Sequence, residues 1–223
     1  MLGDRRVDAG REKGDAGLNR LFQPTRLVVL ISGHGSNLQA VLDACSGGML
    51  PAGVAAVFSD NPVAYGLERA RQAGVPAVSF PKPDEMRRRE YDAALAERVK
   101  VYSPDWILLL GWMRILTSTF LDKFSGRVIN LHPALPGTFQ GVNAIERAFQ
   151  AYQRGEITQT GIMLHLVQDE NVDCGPVLNQ QVIPIFPQDT LLSLEDRIHE
   201  AEHRLVVAVL AQLLQQNQSQ PRD

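Results

Sequence analysis

Residues 27–45, LVVLISGHGSNLQAVLDAC, contain a strand, a glycine-rich turn and a helix in immediate succession, and this stretch decides the fold. The run from Leu27 to Ile31 is apolar throughout, which is typical of a strand buried on both faces of a sheet. After the turn, apolar side chains from Leu38 to Cys45 recur at i, i+3, i+4 and i+7, which predicts a helix with one apolar face. Such a unit is the building block of parallel α/β sheets.

The rest of the chain continues this alternation of short β-branched runs and amphipathic segments. Further strands are predicted at 54–58, 77–80, 106–110, 127–130, 161–167 and 177–185. Helices are predicted at 65–73, at 91–102, at 144–153 and at 191–214, the last with Thr190 as its N-cap. We therefore predict a single Rossmann-like α/β domain with a mostly parallel sheet, helices on both faces and ligands at the carboxyl edge of the strands.

The composition is that of an ordinary globular protein, with 44% hydrophobic and 21% charged residues. Because 22 basic and 25 acidic side chains leave a net charge of −3, no bulk field attracts nucleic acid or a membrane surface. Two cysteines and the lack of an apolar run of roughly 18 residues lead us to expect a cytoplasmic protein. The polar ends predict a disordered extension at residues 1–24 and a flexible tail at 216–223, which flank the domain at 25–215.

The glycine turn, Ser32 to Asn37, joins the first strand to the first helix and has two interpretations. Free N–H groups at the start of a helix bind phosphate with help from the helix dipole, and Ser36 and Asn37 add side-chain donors. The alternative is a plain turn in which serine caps the helix. A dinucleotide site is disfavoured because Leu38 stands where a third glycine is required, and a triphosphate loop is disfavoured because the turn has no lysine.

The segment RVINLHP, 127–133, ends a buried strand in polar residues. Alternation along an extended chain places Asn130 and His132 on the same side, facing the cleft. There a histidine can shuttle protons near neutral pH and donate to a developing oxyanion, and an asparagine amide supplies an uncharged donor. The alternative is a histidine that only closes the loop through a backbone hydrogen bond.

A third polar element, DENVDCGP at 169–176, lies between two predicted strands. Three acidic residues in a glycine- and proline-bounded loop are, by themselves, typical of a solvated turn. The spacing of histidines and cysteines does not favour a metal site. Asp173 gains a function if the fold brings it to His132, where a carboxylate would orient the imidazole and raise its pKa.

Together these segments resemble the glycinamide ribonucleotide formyltransferase family of purine biosynthesis over residues 26–215. The resemblance is carried, in this order, by LVVLISGHGSNLQA (27–40), AVFSDNPVAYGLERARQAG (56–74), GWMRILTSTF (111–120), RVINLHPALP (127–136), DENVDCGPVL (169–178) and EAEHRL (200–205). The resemblance implies the formyltransferase fold, small-molecule substrates and a monomer or homodimer.

The resemblance also implies a role for individual positions. Gly35, Ser36 and Asn37 match the phosphate-binding turn for the ribonucleotide, and Glu202 matches the residue that binds the ribose hydroxyls. The residues implied to bind the folate are Arg88, Met113, Arg114, Ile115, Leu116 and Asn130. The implied catalytic residues are Asn130, His132 and Asp173.

The implied reaction is formyl transfer from 10-formyltetrahydrofolate, the co-substrate, to the amine of glycinamide ribonucleotide, with no metal. A protonated His132 and the Asn130 amide would stabilise the oxygen of the tetrahedral intermediate. Asp173 would keep His132 charged and, through water, help to move the proton from the amine toward the folate.

Several positions depart from the pattern of the family on the substrate side. His34 replaces an asparagine in the turn, and His199 stands where some members have a phosphate-binding lysine. Asn143 and Ile145 replace histidines that often follow the His132 loop. That loop is one residue shorter, and the acidic loop before Asp173 is one residue longer.

Alternative functions are a formyltetrahydrofolate deformylase, which uses water as acceptor, and a nicotinamide-dependent oxidoreductase in which Asp60 binds the ribose. Deformylases carry a regulatory domain ahead of the catalytic one and commonly have His-His after the asparagine, whereas here Pro133 follows His132. A methionyl-tRNA formyltransferase should add a basic C-terminal domain. A phosphosugar-binding module without activity would not need Asn130, His132 and Asp173 together.

Overall fold

The computed structural model describes residues 24–219. The predicted extension at 1–24, apart from Pro24, and the last four residues of the predicted tail lie outside the described residues. Seven strands are present: β1 Thr25–Ile31, β2 Ala52–Ser59, β3 Ala77–Ser79, β4 Trp106–Leu109, β5 Val128–His132, β6 Gln159–Leu166 and β7 Val177–Pro184. The helices are α1 Ser36–Ser46, α2 Tyr65–Gln72, α3 Arg88–Lys100, α4 Ser118–Leu121, α5 Ala144–Gln153 and α6 Leu191–Ser219.

All seven strands form one sheet in the order β3-β2-β1-β4-β5-β6-β7. The pairs from β3 to β5 are parallel, whereas β6 is antiparallel to both of its neighbours. The chain moves outward from β1 to β3 and then returns to pair β4 on the other side of β1. The point between β1 and β4 is therefore the topological switch point, at which α/β sheets open a crevice at their carboxyl ends.

The alternation of β1 supplies both halves of the core. Leu27, Val29 and Ile31 pack with α1 and α6, and Val28 and Leu30 pack on the opposite face with α3. All five side chains are fully buried, which is why the strand is apolar at every position. The predicted sheet with helices on both faces is confirmed.

The predicted elements agree with the structure except at their ends, but α4 and the 3-10 turn Asp122–Phe124 that follows it were not predicted. β5 extends two residues beyond Asn130, so that His132 lies within the strand. α6 extends beyond the predicted end at residue 214 to Ser219. The predicted N-cap of this helix is confirmed: Thr190 Oγ1 accepts the N–H of Ser193 at 3.1 Å, and Ser193 Oγ accepts the N–H of Thr190 at 3.0 Å.

Candidate active site

A cavity of about 510 Å³ opens at the carboxyl edge of β1, β4 and β5, where the topology predicts a ligand site. Its lining combines apolar and polar side chains from both halves of the chain. Asn37, Glu202 and His199 line one part, and the catalytic residues predicted from sequence line another. The segment 111–116, which follows β4, forms a further wall.

The glycine turn brings its backbone to the start of α1. Gly35 is the N-cap residue with a left-handed backbone (φ +74°), and no side chain caps the helix. The alternative in which serine caps the helix is therefore wrong. The turn packs closely on α2, because the N–H of Gly66 donates to the carbonyl of Gly33 at 3.1 Å and a Cβ on Gly35 would lie 2.8 Å from the Cα of Gly66. A helix start without a side-chain cap is suited to an anionic ligand.

Glu202 joins α6 to this turn. Its carboxylate is almost fully buried, and Oε2 accepts a hydrogen bond from Asn37 Nδ2 at 3.0 Å. His199 Nδ1 lies 2.9 Å from the same oxygen, and this hydrogen bond raises the pKa of His199. The structure thus places Glu202 beside Gly35, Ser36 and Asn37 although 165 residues separate it from Asn37. His199, at the position that departs from the family, is part of the same group.

Asp173 is the centre of the second polar group. Its Oδ1 accepts a hydrogen bond from Asn130 Nδ2 at 2.9 Å, and its Oδ2 lies 3.2 Å from His132 Nδ1. The N–H of Gly141 donates to Oδ2 at 2.9 Å, and His165 Nε2 lies 3.5 Å from Oδ1. Only 6% of the Asp173 and His132 side chains is exposed. The fold therefore brings Asp173 to His132, the contact on which a function for Asp173 depended, and buries Asp173 in a loop whose Asp169 and Asn171 are exposed.

The charges of this group follow from its burial. Burial raises the pKa of Asp173, but hydrogen bonds from His165 and Gly141 and the nearby imidazoles outweigh it, and the pKa lies below its usual range. For His132 the balance is reversed, because burial lowers the pKa and exceeds the opposing attraction of Asp173. The expectation that Asp173 keeps His132 charged needs this correction: the resting imidazole is neutral near pH 7.

Two nitrogen atoms of the polar group, His132 Nε2 and Asn130 Nδ2, are the ones a ligand in the cavity would contact. His132 Nε2 is buried and has no hydrogen-bond partner among the described residues. Asn130 Nδ2 donates to Asp173 and lies 3.1 Å from His165 Nε2, whose role as donor or acceptor depends on the tautomer. A neutral His132 that donates from Nδ1 to Asp173 has a lone pair on Nε2 that can accept a proton.

Four of the residues predicted to bind folate, Met113 to Leu116, lie on one wall of the cavity, and Asn130 lies in the polar group. Met113 and Ile115 are exposed and Leu116 is buried. The side chain of Arg114 pairs with Asp60, with Nε 3.0 Å from Oδ2. Arg88 lines a smaller adjoining cavity and donates from Nε to the carbonyl of Ile115 at 3.1 Å.

Comparisons with known proteins agree with this geometry. The sequence profile of the family described as "Formyl transferase" matches residues 25–210. The chain belongs to the formyl transferase family. The phosphoribosylglycinamide formyltransferase of Schizosaccharomyces pombe is 45% identical over 203 residues, covering 86% of this chain and 98% of that protein. The Escherichia coli protein of the same name is 38% identical over 185 residues, covering 83% of this chain and 85% of that protein.

Solved structures of this family have the same fold. Glycinamide ribonucleotide transformylase 1 from Symbiobacterium toebii superposes with a TM-score of 0.81 at 38% identity, covering 93% of both chains. The Geobacillus kaustophilus transformylase superposes with a TM-score of 0.79 at 40% identity, covering 86% of this chain and 99% of that one. The predicted formyltransferase fold is confirmed, and the nicotinamide oxidoreductase alternative is wrong.

Two negative findings apply to residues 24–219 of this formyl transferase family member. No helix in that range has the length and apolar character needed to cross a membrane. Nor does the range contain a group of three or more histidine, cysteine, aspartate or glutamate side chains arranged to hold a metal ion. The metal-free reaction implied by the resemblance stays a prediction.

Two members of the polar group, His165 and Gly141, were not predicted from the sequence. His165 is the one polar residue in the run GIMLHLV, 161–167. A histidine in an otherwise apolar strand was the sequence feature that could have predicted its role. Its register opposite Asn130 places it at Asp173. Gly141 contributes a backbone N–H from an irregular loop, and such a contact cannot be predicted from the residue type.

Proposed function

We propose that this formyl transferase transfers the formyl group of 10-formyltetrahydrofolate to the amine of glycinamide ribonucleotide, a step of purine biosynthesis. One observation carries the proposal. The Asn130, His132 and Asp173 group lies in the same cavity as Asn37 and Glu202 of the turn region. A phosphate-binding element and a proton-transfer element that share a cavity suit an acceptor with a phosphate at one end and a reactive amine at the other.

The two substrates would occupy different walls of the cavity. Gly35, Ser36 and Asn37 would bind the phosphate at the start of α1, and Glu202 would accept hydrogen bonds from the ribose hydroxyls. The donor would lie along Met113 to Leu116 and against Asn130, with Arg88 near its anionic end. Alignment of two reactants in one cavity supplies a large part of the rate enhancement in such reactions.

In the reaction, the neutral amine attacks the formyl carbon, and the carbonyl oxygen becomes negatively charged. His132 Nε2 would accept a proton from the amine while Nδ1 donates to Asp173, which stabilises the imidazolium as it forms. The protonated imidazole and the Asn130 amide would then donate to the oxyanion. Donors of this kind contribute about 3–4 kcal/mol each. The proton finally passes to N10 of the folate as the C–N bond to the donor breaks.

The test follows release of tetrahydrofolate from 10-formyltetrahydrofolate with and without glycinamide ribonucleotide. We expect release only with the ribonucleotide, and one formyl group gained by the ribonucleotide for each tetrahydrofolate formed. Ribose 5-phosphate, which has the phosphate and no amine, is the matched control and should inhibit without supporting release. Equal release without the acceptor would identify a deformylase and contradict the proposal.

A further inference from the structure

The wall formed by residues 111–117 has no regular secondary structure and leaves β4 at Gly111, whose φ is +80°. It separates the main cavity from the smaller cavity of about 260 Å³ that Met113, Arg114 and Ile115 also line. Trp112 and Leu116 of this segment are buried in the core, whereas Met113 and Ile115 between them are exposed. The position of residues 113–115 therefore depends on individual hydrogen bonds and ion pairs.

Asp60, directly after β2, is linked to Met113 and Arg114 of this wall, whereas Arg88 holds Ile115 and Asp92 holds Thr117. Asp60 Oδ1 accepts a hydrogen bond from Ser32 Oγ at 2.6 Å, and Ser32 Oγ in turn accepts the N–H of Met113 at 3.0 Å. Its Oδ2 lies 3.0 Å from Arg114 Nε. The carboxylate thus ties the ends of β1, β2 and β4 together, and only 12% of its side chain is exposed. The contact with Arg114 is an ion pair and not a hydrogen bond, since Arg114 Nε has no hydrogen-bond partner among the described residues.

The glycine turn has separate anchors, which are mainly backbone groups. The N–H of Ser32 donates to the carbonyl of Gly111 at 3.0 Å, and Gly66 holds Gly33 as described above. Asn61 Nδ2 donates to the carbonyl of Ser32 at 3.1 Å. Loss of the Asp60 carboxylate therefore leaves the phosphate end of the cavity in place and releases the 113–114 wall.

We propose that Asp60 is a positioning residue for the formyl donor. It touches no substrate and acts by fixing Met113 and Arg114, the part of the wall along which the donor is placed. The inference rests on the proposed function. It also gives this carboxylate a use other than ribose binding, since both of its oxygens are engaged within the chain.

The test is Asp60→Asn, which keeps an acceptor for Ser32 and removes the charge opposite Arg114. We expect the KM for 10-formyltetrahydrofolate to rise about tenfold, because a tenfold change corresponds to one charged contact of moderate strength. The KM for glycinamide ribonucleotide should stay within about twofold and kcat within about threefold. A purely structural role would alter both KM values or neither.

The chain offers a matched control in Asp189→Asn. Asp189 also bridges a serine and an arginine: Ser193 Oγ donates to Oδ1 at 2.9 Å, and Arg197 Nη1 donates to Oδ2 at 2.9 Å. Only 4% of its side chain is exposed, and it does not line the cavity. This variant should lower Tm and leave both KM values unchanged.

Ser32→Ala provides a second, independent break in the same chain of bonds. It removes the link to the N–H of Met113 while the Asp60–Arg114 pair remains, and it should raise the donor KM about threefold to tenfold. Asp60→Glu should recover part of the donor affinity. Equal rises of both KM values, or a donor KM unchanged in Asp60→Asn and Ser32→Ala, would overturn the inference.

Direct binding separates this inference from the proposed function. Titration with tetrahydrofolate, followed by tryptophan fluorescence, reports donor-site affinity even if no formyl transfer occurs. Weaker tetrahydrofolate binding by Asp60→Asn, with wild-type binding of glycinamide ribonucleotide, supports the positioning role. Absence of acceptor-dependent turnover in the wild type would contradict the proposed function alone.

Discussion

The glycine turn at 32–37, of which Asn37 lines the cavity, and the polar group around Asp173 in the same cavity are built in opposite ways. The turn is local, and its shape depends on the left-handed Gly35, its contact with Gly66 and a helix start that no side chain caps. The polar group is assembled from side chains far apart in sequence, with Asn130 and Asp173 separated by 43 residues. The turn should therefore be sensitive to added atoms, whereas the polar group should be sensitive to the exchange of a single polar atom.

The largest effect is expected for Asp173→Asn, the substitution that changes one atom of the polar group. Asp173 has a φ of +54°, and asparagine is among the few residues that tolerate this conformation, so the backbone should be kept. The amide has one acceptor oxygen, so it cannot accept from both Asn130 and Gly141, which donate to different oxygens of the carboxylate. We expect kcat to fall about 10³-fold with Tm within about 2 °C of the wild type. Single-turnover kinetics and calorimetry check this.

A loss of activity that comes with a large loss of Tm would mean that Asp173 mainly holds the fold together. For Asp189→Asn we expect a lower Tm with unchanged activity, which is the opposite of the result expected for Asp173→Asn. The expected loss of stability for Asp189→Asn is about 1–2 kcal/mol.

The reciprocal experiment adds one methyl group to the turn in Gly35→Ala. The new Cβ would lie 2.8 Å from the Cα of Gly66, in a backbone conformation that alanine rarely adopts. We expect a loss of about 2 kcal/mol in the free energy of unfolding and a rise of about tenfold in the KM for glycinamide ribonucleotide. Denaturant unfolding and steady-state kinetics are the measurements. If Ser36→Ala is equally damaging, side chains rather than the backbone shape the phosphate site.

The same contrast explains what the sequence could predict. The strand, turn and helix of 27–45 are adjacent, so apolar periodicity and two glycines were sufficient to predict them. The proximity of Asp173 to His132 depends on the pairing of β5 with β6 and on a loop with a left-handed residue, and neither is encoded in local spacing. The charge of His132 was predicted from its partner alone, whereas burial, which sequence does not report, has the larger effect on its pKa.

Protonation distinguishes the two regions further, and NMR titration of the five histidines measures it directly. Burial lowers the pKa of His132, so its imidazole should lose its proton at a pH below 6.5, the ordinary value. The hydrogen bond to Glu202 raises the pKa of His199, which should keep its proton to a pH above 6.5. Asp173→Asn should lower the pKa of His132 further, because it removes an attraction. A measured pKa of His132 above 6.5 would contradict this prediction and support the original expectation of a charged resting imidazole.

A smaller effect is expected for His199→Gln at the turn. Protonated His199 adds a positive charge beside Glu202 and Asn37, and that charge is lost as the pH rises through its raised pKa. The KM for glycinamide ribonucleotide should rise about threefold at pH 6 and remain nearly unchanged at pH 9. The ratio of variant to wild-type KM at each pH removes the titration of the substrate itself. A ratio that does not depend on pH would show that His199 acts through its shape alone.

The smallest effect is expected for His34→Asn, which introduces the asparagine that the family resemblance implies at this position of the turn. The His34 ring stacks on Tyr65 at a centroid distance of 5.3 Å, and its exposed position lies outside the set of residues that line the cavity. The carbonyl of His34, which accepts from Arg69 Nε at 3.0 Å, is independent of the side chain. The KM for glycinamide ribonucleotide should therefore change less than twofold, and the stability by less than about 0.5 kcal/mol. A change of fivefold or more in this KM would indicate that the His34 imidazole contacts the phosphate. The turn would then depend on side chains, as the polar group does.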